Sequence, residues 1–64
     1  MIRVNGRDED AQGETVEQLL ERRGVDGRGI AVAIDGIVVR RAEWRSTVLQ
    51  DGCSVEIVSA AAGG

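Results

Sequence analysis

Residues 30–39 read Ile-Ala-Val-Ala-Ile-Asp-Gly-Ile-Val-Val, an apolar run on each side of an Asp-Gly pair. Asp-Gly between two such runs is a hairpin signal, because a type I′ turn needs φ > 0 at both central residues. A two-residue loop leaves no freedom of register. It sets Ile34 opposite Ile37 and Val32 opposite Val39. Those four side chains share a face with Ile30, while Ala31, Ala33, Asp35, Val38 and Arg40 fall on the other. The bulky face is expected to be the core, and the lighter face is left to solvent or a partner.

The rest of the chain supplies what such a hairpin must pack against. Ile2-Arg3-Val4 alternates with the period of a half-buried strand, and Asn5-Gly6 follows it as a second turn signal. The return strand is placed within Arg7 to Gln12, at a sheet edge, with Ala11 its only apolar residue. A tight turn would set Val4 opposite Arg7 and aim a charge at the core, so a longer turn or a bulge is expected. Thr15 and Gln18 have capping-box spacing, and Val16, Leu19 and Leu20 form one apolar stripe. A short helix is expected over about Val16 to Arg23. Glu14 and Glu17 lie at its positive end, Arg22 and Arg23 at its negative end, and Gly24 serves as the left-handed stop. Arg41 to Leu49 reads as irregular or a short helical turn, with Trp44 capping one end of the core. After the turn at Asp51-Gly52, Ser54 to Ser59 is the last strand, with Val55 and Ile57 inward and Glu56 and Val58 outward. Cys53, at its start, reads as a small buried hydrophobe.

Length and composition exclude most chemistry. A chain of 64 residues is one domain. It hides about 60% of its unfolded surface, which leaves no internal active-site cavity. It has no His, no Lys and one Cys. An internal disulfide, a Cys/His zinc site and any imidazole-based nucleophilic site are thereby excluded, and no metal is expected. Without Lys the chain cannot be linked to others of its kind through a Lys side chain. Eight Arg against eleven carboxylates give a net charge of −3, and no aromatic platform exists for stacked bases. Nucleic acid is therefore not the expected partner. The apolar runs are too short to span a bilayer and the N-terminus lacks signal-peptide shape, so a soluble, cytoplasmic protein, monomeric when free, is expected.

The element order is hairpin, helix, hairpin, turn, strand. It implies an α+β fold of the β-grasp (ubiquitin-like) type: a mixed four- to five-stranded sheet with one main helix on one face. The domain is placed at residues 1–59 and a flexible Gly-Gly tail at 60–64. The tail, Ala60-Ala61-Ala62-Gly63-Gly64, has no bulk beyond Cβ, and its Gly pair can adopt any φ/ψ that a narrow channel requires.

An ordered set of pieces carries a resemblance across essentially the whole chain. They are Val4-Asn5-Gly6, Thr15-Val16 with Leu19-Leu20, residues 32–39, Arg41 with Trp44, Leu49-Gln50-Asp51-Gly52, Val55 to Val58, and Gly63-Gly64. Together they resemble the sulfur carrier family of thiamine biosynthesis, the ThiS family. Two positions depart from its usual pattern: Arg40 stands where the family has Pro, and Cys53 where it has Asp. The resemblance implies a protein co-substrate rather than an enzyme. Gly64 would carry an acyl-adenylate and then a thiocarboxylate, with Gly63 and Ala62 recognised as the tail. It further implies an E1-like adenylating enzyme that uses ATP, a cysteine-derived sulfur source and thiazole synthase as partners, with no cofactor bound by the chain itself. Val38, Val58, Arg40 and Arg41 are the candidate docking face. The small subunit of molybdopterin synthase and a ubiquitin-like protein tag share the fold and the Gly-Gly ending, as alternatives. The absence of Pro and the retained Trp44 favour thiamine.

Overall fold

The computed structural model describes residues 1–59. The strands are β1 (Ile2–Val4), β2 (Arg7–Glu9), β3 (Ile30–Ile34), β4 (Ile37–Val39) and β5 (Ser54–Ser59), with one helix, α1 (Val16–Arg22), between β2 and β3. They form one sheet in the order β2-β1-β5-β3-β4. β5, last in the chain, is thus central. It runs parallel to β1 and antiparallel to β3. This is the β-grasp arrangement that the element order implied.

The Asp35-Gly36 register is as expected, with Ile34 opposite Ile37 and Val32 opposite Val39. Asp35 and Gly36 have φ of 50° and 84°, the type I′ signature. The Asn5-Gly6 turn corrects the expected longer turn or bulge. It too has two residues, with φ of 50° and 85°, and Val4 does sit opposite Arg7. The charge is tolerated because β2 is an edge strand, with no described strand beyond it. Val4 is buried while Arg7, on the same nominal face, stays in water. β2 occupies Arg7–Glu9, within the expected stretch, and Ala11 is buried after the strand has ended.

Helix α1 is seven residues long, about 10 Å, and is built as its spacing requires. The Thr15 hydroxyl accepts from the Gln18 N–H at 3.1 Å, and the Gln18 side chain accepts from the Thr15 N–H at 2.9 Å. Arg23 is the C-cap rather than the last helical residue, and Gly24 follows with φ of 70°. The irregular stretch after β4 opens with a 3-10 turn at Arg41–Glu43 and completes the capping of α1. The Val16 and Glu17 N–H groups donate to the carbonyls of Thr47 at 3.0 Å and Trp44 at 3.1 Å. With the capping box, all four N–H groups that a helix start leaves unpaired, those of Thr15, Val16, Glu17 and Gln18, are satisfied.

The core lies between α1 and one face of the sheet. Val16, Leu19 and Leu20 pack with Ile2, Val4, Val32 and Val55, closed off by Ala11, Trp44, Leu49 and Cys53. Ile30, Ile34, Val39 and Ile57 line its margin. Ile37, expected inside, is 72% exposed. It has the inward register, but it lies on an edge strand next to the hairpin turn, and so short a helix leaves that corner of the sheet uncovered. Trp44 caps the core as expected, and its indole N–H donates to the Val39 carbonyl at 3.0 Å.

Candidate functional site

The strand that leads to the tail is held from both sides. On one flank, the Arg3 and Asn5 N–H groups donate to the Cys53 and Val55 carbonyls, each at 2.9 Å. On the other flank, β3 pairs with β5 along its whole length, from Ile34 opposite Val55 to Ile30 opposite Ser59. Two turn residues add side-chain bonds. The Asp35 carboxylate accepts from the Ser54 N–H at 2.9 Å, while the Asp35 N–H donates to the Ser54 carbonyl at 2.8 Å. The Asn5 side chain meets both polar groups of Ile57: Oδ1 accepts from its N–H at 2.8 Å and Nδ2 donates to its carbonyl at 3.3 Å. The route toward residue 60 therefore starts from the best-paired strand of the sheet.

The sheet face away from α1 carries the lighter side chains, as the hairpin register requires. Val38 is 67% exposed and Val58 is 55% exposed, with the half-buried Ala31 and Ala33 on the strand between them. Val38 lies opposite Ala33 and Val58 opposite Ala31, so two strand spacings across the sheet and two residues along it separate the valines by about 12 Å. Across the sheet this apolar strip gives way to Glu56 and Ser54 and then to the Arg3–Asp8 pair, at 3.7 Å. Arg40 follows β4 directly and is exposed. The structure does not bring Arg41 to this strip. Its guanidinium stands 5.8 Å from the centre of the Trp44 ring, beside an open cleft of about 220 Å³ between α1 and the loop at Val25 and Gly27. Among the described residues, Arg40, Arg41 and Arg45 form no ion pair, in contrast to Arg22 and Arg23, which pair with Glu9 on β2.

Two features escaped the sequence reading. One is Ile37, whose exposure adds an apolar side chain at the β4 edge. The other is Gly27, read only as part of a loop: a Cβ there would stand 2.9 Å from the Trp44 ring. No residue pattern signals that contact, because the two positions meet only through the tertiary fold.

The described residues hold no reactive centre. Burial pushes the Cys53 thiol above its ordinary value, which keeps it protonated and unreactive at neutral pH. No cluster of metal-ligating side chains occurs among the described residues, and no described helix is long and apolar enough to cross a membrane. Ala62, Gly63 and Gly64, the expected tail residues, lie outside the described residues.

A β-grasp domain whose central strand leads into a Gly-Gly sequence, with no reactive side chain in its body, has the form of a small carrier or modifier protein. Comparison with known proteins is specific. The sequence profile of the ThiS family matches residues 2–64. A sulfur carrier protein ThiS of Thermus thermophilus is 33% identical over 64 residues, all of both chains. Its Escherichia coli counterpart is 37% identical over 54 residues, 84% of this chain and 82% of that one. The crystal structure of a thiamine biosynthesis protein (ThiS) from Geobacter metallireducens superposes with a TM-score of 0.80 at 28% identity, covering 98% of this chain and 97% of that one. The chain belongs to the ThiS family.

Proposed function

We infer that this protein is a sulfur carrier in the synthesis of the thiazole moiety of thiamine. The observation that carries the reading is the match to a sulfur carrier protein over the full length of both chains, Gly63 and Gly64 included. The body of the fold offers no nucleophile with a base beside it, so the reactive group is assigned to the Gly64 carboxylate. In a partner's site, a carboxylate oxygen of Gly64 attacks the α-phosphorus of ATP and pyrophosphate leaves. The terminal sulfur of a cysteine-derived persulfide then attacks the acyl carbon and AMP leaves; a thiol attacks the acyl disulfide so formed, breaking its S–S bond and carrying the donor away as a mixed disulfide, and the thiocarboxylate that thiazole synthase consumes is left on Gly64. Gly63 and Ala62 are the residues the partner's channel accepts, because they lack bulk. The chain is a co-substrate and not an enzyme, it works in the cytoplasm, and it binds no cofactor of its own.

Docking is assigned to the open sheet face, with Val38 and Val58 as apolar contacts and Arg40 as a cation for an acidic partner surface. Arg41, turned toward Trp44, is the weaker member of that set. The test is intact-mass analysis after incubation with ATP, an adenylating enzyme of this family and a sulfur source. An oxygen-for-sulfur mass change on the intact chain and on Cys53→Ala, with none on a variant lacking Gly64, is the expected result. Sulfur gained by the variant lacking Gly64, or failure of Cys53→Ala, would move the sulfur to Cys53 as a persulfide and overturn the assignment.

A further inference from the structure

We propose that Asn5 is a positioning residue for sulfur loading, acting through Ile57 on the end of the strand that presents the tail; this rests on the sulfur-carrier reading above. The ladder between β1 and β5 is cut short. β1 and β5 run parallel, and the Arg3 and Asn5 N–H groups donate in turn to the carbonyls of Cys53 and Val55. The next step of a parallel ladder would bring the Ile57 N–H to the main-chain carbonyl of Asn5, and the Ile57 carbonyl to the N–H two residues further on. The main chain is no longer there. At Asn5, φ is 50° and the chain turns into β2. The Asn5 side chain takes the place of the missing peptide: its Oδ1 accepts from the Ile57 N–H at 2.8 Å and its Nδ2 donates to the Ile57 carbonyl at 3.3 Å. An amide side chain thus extends the β1 flank of β5 by one rung, toward Ser59.

Only one residue type meets all these demands. The position needs φ > 0, which Asn and Gly tolerate best. It also needs a donor and an acceptor on one short planar group, which Asn has and Asp, when ionised, lacks. The Asn5 side chain bonds to Ile57 and to neither Val38 nor Val58, so its effect on loading is transmitted by the direction of β5. A strand end held on both flanks delivers the tail to a partner's channel along one line, and a strand end held on β3 alone wanders.

Asn5→Gly is the decisive variant, because it keeps the turn and removes only the clamp. Its circular dichroism is expected to match the parent. Amide hydrogen exchange at Ile57 should accelerate by about tenfold or more, since that N–H loses its acceptor. In the adenylation assay kcat should fall by about tenfold, with KM within about twofold, because the docking strip is untouched and only the tail's approach is blurred. Asn5→Asp, which keeps the acceptor and loses the donor, should protect the Ile57 N–H yet still lower kcat. Unchanged exchange at Ile57 in Asn5→Gly would overturn the clamp. Accelerated exchange with unchanged kcat would overturn its role in loading. The parent chain runs in parallel: if it gains no adenylate, the sulfur-carrier reading has failed and the loading role falls with it, while the exchange data still decide the clamp.

Discussion

Asn5 and Asp35 occupy equivalent places in two type I′ turns, each with φ of 50° and a following Gly. Their side chains differ because their hydrogen-bonding tasks differ. At Asp35 the backbone N–H serves the Ser54 carbonyl, so the side chain need only accept. At Asn5 the side chain must both donate and accept. Asp35→Asn, which keeps an acceptor, should change stability by no more than about 0.5 kcal/mol. Asn5→Asp should cost about 1 kcal/mol, because it sets a carboxylate against the Ile57 carbonyl. Urea unfolding of the two variants separates these outcomes. Gly27 is a second residue-scale case. Its Cβ position lies 2.9 Å from the indole ring of Trp44, so Gly27→Ala must displace the ring at a cost of about 1–3 kcal/mol. Trp44 is the only Trp, and its emission should shift in that variant; an unchanged spectrum and stability would show that the loop yields instead. Cys53 gives a pH signature. Its thiol is raised by burial first and by the Asp35 charge second, so the unfolded chain loses that proton before the folded one. Its contribution to stability is complete below the ordinary thiol value of 9.0 and declines as pH rises beyond it. Denaturant titrations above that pH should show a slope that Cys53→Ala removes.

At the scale of elements, α1 is too short to hold by propensity and draws its stability from contacts. Leu19 is fully buried on it, and Leu19→Ala should cost about 2–5 kcal/mol. Ile37→Ala should cost less than about 1 kcal/mol, although pattern alone ranks the two side chains alike. Thermal unfolding of this pair tests the placement of the core against the periodicity that suggested it. The two edge strands also differ. β2 carries Arg7, Asp8 and Glu9, charges that discourage pairing with another sheet, and Glu9 ties it to Arg22 at the end of α1 and to Arg23, its C-cap. β4 is apolar and guarded only by its brevity and by Arg40.

At the scale of the whole fold, one helix covers one face of a five-stranded sheet, and among the described residues nothing covers the other. The open face can change without touching the core. Val38→Glu and Val58→Glu should each leave the circular dichroism spectrum intact and lower stability by no more than about 1 kcal/mol. If this face docks the adenylating partner, both should raise KM for loading while kcat holds. A KM unchanged in both variants would move the docking surface elsewhere, with the exposed Ile37 corner the next place to probe.

The local chemistry of this protein was legible residue by residue. The Asp35-Gly36 register, the Thr15–Gln18 capping box, the Gly24 stop and the alternation of Val55 to Val58 each depend on spacings of a few residues, and spacing is what a sequence displays. The same spacings, taken in order, pointed to the β-grasp fold, while the family was marked by the resemblance of particular residue pieces from Val4-Asn5-Gly6 to Gly63-Gly64. What depended on burial was not legible. Arg7 can share the face of Val4 yet stay in water, as Ile37 does, only because α1 ends where it does and β2 has no further neighbour among the described residues. Gly27 against Trp44 and Asn5 against Ile57 join residues far apart in the chain. Periodicity assigns a side chain to a face, but which part of that face is covered is set by the length and position of the element laid across it, and that is decided in the tertiary structure.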